Sequence, residues 1–256
     1  PAFAAPETCA TVLEAALPIA PAGAPLTVSG ATAPDGLPTG TLNEAEARGL
    51  FDAFGLTGAK SHVVQTEHEA KEAAVELGGP VVLKVLSREI AHKSDVGGVR
   101  VNLSADEVGP ALTQMAEKLS AQGLPKPEGY LVQAMLKGGI EMILGLRRDP
   151  QLGPLILLGA GGVQAELSGD STLRLLPLRE GDARGMVENL RIKMLLDGYR
   201  GAPAHDVDAL VSAIEALAQM GATLGDRLEE AEINPLFVMQ KGQGVAAADG
   251  LVVLNG

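Results

Sequence analysis

The stretch VVLKVLSREIAHKSDVGGVRVNL, residues 81–103, decides how this chain is read. It opens with an apolar, β-branched run that carries one lysine, Lys84. The neighbours Val82, Leu83, Val85 and Leu86 imply a strand buried on both faces. A buried ammonium group is costly unless an anion meets it. The loop that follows holds His92, Lys93, Ser94 and Asp95 and closes on Gly97-Gly98 before a second strand-like run. Glycines let backbone approach an anion closely. Together these features imply a phosphate site with a histidine within reach. Each part is weak alone. A strand lysine can snorkel to solvent, and a single histidine is more often a surface residue than a catalyst. The loop is not a Walker A loop, because G-x-x-x-x-G-K-[ST] is absent.

The bulk numbers bound the possibilities. With 256 residues, 46% hydrophobic and 20% charged, the chain is long enough for one large domain or two lobes with a sizeable core. No run of 18 apolar residues occurs, so no membrane-spanning helix is expected. The one cysteine, Cys9, excludes an internal disulfide, and a reducing cytoplasm is the expected compartment. A net charge of −12, no tryptophan and two tyrosines argue against nucleic acid as a partner. The sequence opens at Pro1 rather than methionine, which reads as a piece of a longer protein or a processed product.

Residues 1–40 hold seven of the sixteen prolines and show no clean periodicity. TVLEAAL (11–17) reads as the end of a helix, and Pro18 to Thr39 as a linker. From Thr41 the chain becomes regular. Thr41 with Glu44, Thr66 with Glu69, and Ser104 with Glu107 have the spacing of capping boxes. They predict helices near 43–54, 67–77 and 105–121, ending at Gly55, Gly78 and Gly123. Strands are expected near 61–65, 81–86 and 99–103. In the second half, YLVQAML and IEMILGL flank Lys137-Gly138-Gly139, a hairpin signal. PLILLGAGGVQAEL and TLRLLPL read as strands, 183–197 and 206–222 as helices, and EEAEINPLFVM, QKGQG and VAAADGLVVL as a terminal hairpin. The expected class is α/β (α+β) in two lobes, with antiparallel hairpins in the second.

If the terminal turn centres near Lys241-Gly242, Asn234 and Asp249 fall opposite each other, with Cβ atoms roughly 5 Å apart. Glu232, two residues before Asn234, shares that face. Such an oxygen set suits Mg²⁺, and the Asn-Pro step argues against a plain strand; the bland reading is a polar outer face. Glu141, inside an apolar run, is either an outward-facing strand residue or a partner for ribose or lysine. Arg147, Arg148 and Asp149 read as a solvated turn. GAGGV (159–163) is a tight connection or a cover over phosphates, and Arg174 is ambiguous.

Three separated motifs in order, VVLKVLSREIAHKSDVGGV, VQAMLKGGIEMILGLRRDPQLGP and EINPL, resemble the ATP-grasp domain of NDP-forming acyl-CoA synthetases. That superfamily includes ADP-forming acetyl-CoA synthetase and succinyl-CoA synthetase. The resemblance runs from about residue 41 to 256, and residues 1–17 resemble the tail of a preceding CoA-ligase domain. It implies an ATP-grasp fold with the nucleotide cleft between a lobe at 41–129 and a lobe at 130–256, after a tail and linker at 1–40. It implies an acid–CoA ligase that turns acid, CoA and ATP into acyl-CoA, ADP and phosphate through a phosphohistidine relay. Under it, His92 would carry the phosphoryl group, and Lys84 with Gly97 and Gly98 would hold nucleotide phosphate. Gln133, Ala134, Met135 and Leu136 would form the adenine hinge, and Glu141 would sit in the nucleotide pocket. Asn234 and Asp249, with Glu232 nearby, would hold Mg²⁺ beside ATP or ADP. The implied partners are CoA-binding and CoA-ligase domains, in the same chain or a separate subunit. An oligomer is expected at full length, with neither nucleic acid nor membrane as a partner. Two alternatives stay open: a regulatory ATP-grasp module of a protein acetyltransferase, and a β-like subunit of succinyl-CoA synthetase.

Overall fold

The structure, a computed structural model, describes residues 32–90, 93–162 and 169–256. The helix end at 11–17 and the linker as far as residue 31 lie outside the described residues. Regular structure begins with β1 (Gly40–Thr41) and α1 (Glu44–Ala53). A small lobe follows, built from β2 (Ser61–Val64), α2 (Glu67–Leu77), β3 (Val81–Leu86), β4 (Val99–Leu103), α3 (Val108–Ala121) and β5 (Gly129–Ala134). Its sheet runs β2-β5-β3-β4, wholly antiparallel. Val81, Leu83 and Val85 alternate along β3 and meet Ala70, Ala73, Leu112, Met115 and Leu119 from the two helices. The other β3 face, with Val82, Lys84 and Leu86, turns away from that core. Thr66 caps α2 by accepting from Glu69 N at 3.2 Å, and Gly78 ends it at φ +72°.

The large lobe holds β6 (Ile140–Asp149), β7 (Gly153–Ala160), β8 (Ser171–Leu175), α4 (Asp182–Glu188), α5 (Lys193–Leu196), α6 (Val207–Leu224), β9 (Leu228–Val238), β10 (Val245–Ala247) and β11 (Gly250–Leu254). Its seven-stranded sheet runs β1-β11-β9-β6-β7-β8, with β10 also paired to β9. Met142, Leu144, Leu146, Ile156, Leu158, Ala231 and Ile233 point into one core, which Leu210, Ile214, Leu217 and Leu224 of α6 close. By length and a mean hydropathy of 1.3, the segment Val207–Arg227 is long and apolar enough to cross a membrane, contrary to the sequence expectation. In the structure its apolar face is part of this core.

Other expectations change as well. Lys137-Gly138-Gly139 is not a hairpin turn: β5 is paired on both edges, by β2 and β3, so β6 has no edge to join and pairs with β7 and β9 instead. The glycines, at φ +76° and +87°, turn a crossover between the two sheets. The whole of β5, residues 129–134, belongs to the four-stranded sheet. Residues 42–56 side with the large lobe, because Leu42, Ala47, Leu50, Phe51, Phe54 and Leu56 pack into its core. Finally, the helix expected at 183–197 is two short helices, α4 and α5.

Candidate functional site

The first strand read from sequence is the first wall of the site. Lys84 sits mid-strand in β3, between Leu131 of β5 and Val99 of β4, and is 6% exposed. The anion that meets it is Glu44: Nζ lies 2.6 Å from Oε1. It also donates to Ala248 O at 2.7 Å and lies 3.5 Å from Asp249 Oδ2. Lys84 thus joins the small-lobe sheet to α1 and to the β10–β11 connection. The sequence spacing pairs Glu44 with Thr41 as a capping box. The helix starts one step later, with Asn43 as cap: Glu46 N donates to Asn43 Oδ1 and Asn43 N to Glu46 Oε2, both at 3.0 Å. Glu46 closes the box, which leaves Glu44 to turn inward. Burial pulls the Glu46 carboxyl upward, but the Arg88 guanidinium and the Asn43 amide hold it below the ordinary glutamate range. Glu128 ties the same corner, accepting from Asn43 Nδ2 at 2.8 Å and from Arg88 N at 3.0 Å.

Lys93, on the loop after β3, reaches the second oxygen of Glu44 at 2.6 Å. His92 lies outside the described residues. The loop glycines shape the loop more than they offer donors. Gly97 N donates to Ser94 O at 3.1 Å and Gly98 N to Lys93 O at 2.7 Å. A Cβ at Gly98 would stand 2.6 Å from Val85 Cγ1, so only glycine lets the loop lie against β3. Lys93, Ser94 and Asp95, not the glycines, face the cleft.

At the end of β5 the buried Gln133 donates from Nε2 to Ala248 O at 3.0 Å, so the same carbonyl receives Lys84 and Gln133. Ala134 N donates to Lys60 O and Met135 N to Pro80 O. Among the described residues Leu136 N has no such partner, which makes it the open backbone donor of the expected hinge.

The terminal hairpin has the expected register. Val245 pairs with Val238, Gly250 with Ile233, and Asn234 N donates to Asp249 O at 3.2 Å, which sets Asn234 opposite Asp249. Asn234 Nδ2 donates to Glu232 Oε1 at 3.1 Å, leaving the amide oxygen out of that bond. Asp249 Oδ1 accepts from Gly250 N at 2.8 Å. Glu232 pairs with Gly145, which has no side chain to crowd it. Among the described residues no three His, Cys, Asp or Glu side chains gather as a metal cluster. The set here is two carboxylates and an amide, hard oxygen donors that fit Mg²⁺ shared with substrate phosphates. Glu141 lies on the same sheet face, opposite Phe237. Gly161 N donates to its carbonyl at 2.8 Å, and a Cβ on Gly162 would stand 2.8 Å from its Oε2. Glycine thus lets the GAGG connection lie directly on Glu141. The rest of GAGGV, Val163, lies outside the described residues. Arg148 is not a plain solvated residue: Nη2 donates to Gly225 O at 2.8 Å.

A cleft of about 410 Å³ is lined by Glu44, Arg88, Lys93, Ser94 and Asp95 together with Glu232, Asn234 and Asp249; Lys84, Gly97, Gly98, Gln133 to Leu136 and Glu141 are not among its lining residues. The Lys93 ammonium and the Arg88 guanidinium, which can meet phosphoryl oxygens, therefore share this cleft with oxygen ligands that can hold a divalent cation. The sequence reading missed Glu44. The signal was present, because Asn43 and Glu46 fit the capping spacing as well as Thr41 and Glu44 do.

A family model described as an ATP-grasp domain matches residues 37–254. The β subunit of ADP-forming acetate–CoA ligase II from Pyrococcus furiosus is 34% identical over 83% of this chain and 91% of that subunit. The ADP-forming 4-hydroxybutyrate–CoA ligase of Nitrosopumilus maritimus is 38% identical over 81% of this chain, which spans only 30% of that ligase. Among solved structures, a dinucleotide-forming acetyl-coenzyme A synthetase of Ca. Korarchaeum cryptofilum superposes with a TM-score of 0.71 and 34% identity, covering 84% of this chain and 93% of that one. It holds coenzyme A and Mg-AMPPCP, with its phosphohistidine segment pointing towards the nucleotide binding site.

Proposed function

The chain belongs to the ATP-grasp domain family, and from that premise we propose that it is the nucleotide-binding, phosphoryl-transfer module of an ADP-forming acid–CoA ligase. One observation carries the reading: Lys93, held by the same Glu44 that Lys84 meets, shares a single cleft with Glu232, Asn234 and Asp249. The Pyrococcus β subunit, of nearly the same extent, and the Korarchaeum complex with Mg-AMPPCP support it. The complete protein would convert acid, CoA and ATP into acyl-CoA, ADP and phosphate. Acid and CoA would bind CoA-binding and CoA-ligase domains, in a longer chain or a partner subunit.

Phosphoryl transfer asks for positioning and charge neutralisation more than covalent help. Lys93 offers its ammonium to phosphoryl oxygens, and Lys84 keeps β3 fixed against the large lobe. Leu136 N offers a donor to an adenine edge, and Glu141 offers its carboxylate beside the Gly161-Gly162 turn. Glu232, Asn234 and Asp249 would hold Mg²⁺, which when bound spreads the negative charge of the phosphates. His92, next to Lys93 in sequence, would receive the phosphoryl group on a ring nitrogen when neutral and pass it on. In the assembled ligase, His92→Ala should leave nucleotide affinity nearly intact and remove most ATP-dependent turnover. Near wild-type turnover of that variant would reject the relay.

A further inference from the structure

Glu44 is 5% exposed and holds two ammonium groups at once, Lys84 on Oε1 and Lys93 on Oε2, each at 2.6 Å. Its two partners are not equivalent. Lys84 is fixed mid-strand and also meets Ala248 O and Asp249. Lys93 lies on the loop that lines the cleft, and among the described residues Glu44 is the one polar partner of its ammonium group. We propose that Glu44 is a resident counter-anion that competes with phosphoryl oxygens for Lys93, and so tunes phosphate affinity as a positioning residue. The proposal rests on the reading of this cleft as a phosphoryl site.

A buried carboxylate stripped of its partner is strongly unfavourable. When Lys93 turns to a phosphoryl oxygen, Glu44 keeps Lys84 and is not stranded. Were the roles reversed, β3 would have to give way to free Lys84. Glu44 has no capping duty to hold it back either, since Asn43 and Glu46 form the box. One carboxylate between two ammonium groups thus gives one fixed pair and one exchangeable pair.

The test measures binding of inorganic phosphate to the 256-residue chain by calorimetry. Glu44→Gln should melt lower than wild type without phosphate yet bind phosphate roughly tenfold more tightly, as expected for removing a nearby like charge. The double variant Glu44→Gln/Lys93→Met should lose that gain. Unchanged or weaker phosphate binding by Glu44→Gln would overturn the proposal, as would a gain that survives in the double variant. Should Glu44→Gln fail to fold, Lys93→Met alone decides. It should keep a melting temperature near wild type and lose most phosphate affinity; phosphate binding equal to wild type would overturn the proposal. Binding of ADP with Mg²⁺ to wild type is measured alongside. Its absence would count against the nucleotide reading, whereas its presence with no response at Glu44 and Lys93 would sink this inference alone.

Discussion

The two walls of the cleft are built differently. The basic groups of the small lobe are satisfied by α1, which packs on the large lobe: Lys84 and Lys93 share Glu44, and Arg88 meets Glu46. On the large-lobe side Glu232 and Asn234 hydrogen-bond to each other, and Asp249 stands 3.5 Å from an ammonium that already has closer partners. One wall is preorganised and holds the lobes together. The other carries oxygen ligands short of positive charge. The difference teaches that stability resides in the first wall, at the fixed Lys84–Glu44 pair, and cation response in the second. It also gives a physical reason for a divalent cation, since an anionic nucleotide would otherwise meet the carboxylates of the second wall unscreened.

Substitutions can break or sharpen this contrast. The largest effect should come from Lys84→Met, which strips Glu44 and Asp249 of a buried partner and should cost about 3–5 kcal/mol in urea denaturation. Asn43→Ala should cost about 1 kcal/mol by removing the α1 cap, while Thr41→Ala should be nearly silent. Equal costs for the two would restore Thr41 as the cap. Glu46→Gln should cost about 1 kcal/mol at neutral pH. The folded Glu46 carboxyl titrates below its ordinary value, so its stabilisation is present above pH ~4.3 and disappears as pH falls through the folded value. The gap between Glu46→Gln and wild type should therefore close in acid; a gap that widens there would contradict the assigned partners. Among the site residues the smallest effect should be Asn234→Ala on the exposed second wall, within about 0.5 kcal/mol in stability. A large loss there would erase the contrast.

How much of this was legible in sequence depends on how local the cause was. Strands β3 and β4 fell where the β-branched runs ended, and the terminal hairpin took the register set by its turn, so Asn234 faced Asp249 as expected. The fate of Lys137-Gly138-Gly139 was not legible. Glycines at positive φ serve a hairpin and a crossover equally, and the choice was made by β2 and β3 occupying both edges of β5. Glu44 was hidden for a related reason. Two capping registers fit the same residues, and only the buried Lys84, forty positions away, distinguishes them. The allegiance of α1 to the large lobe likewise depends on which apolar face lies near it, which an amphipathic pattern does not state.

The most direct test of the account is a calorimetric titration of the chain with AMPPCP, with and without Mg²⁺, repeated on Asp249→Asn. The account predicts saturable binding with Mg²⁺ that weakens at least about tenfold when the metal is withheld or Asp249 is neutralised. Binding of equal strength in all of these conditions, or none at millimolar nucleotide, would contradict it.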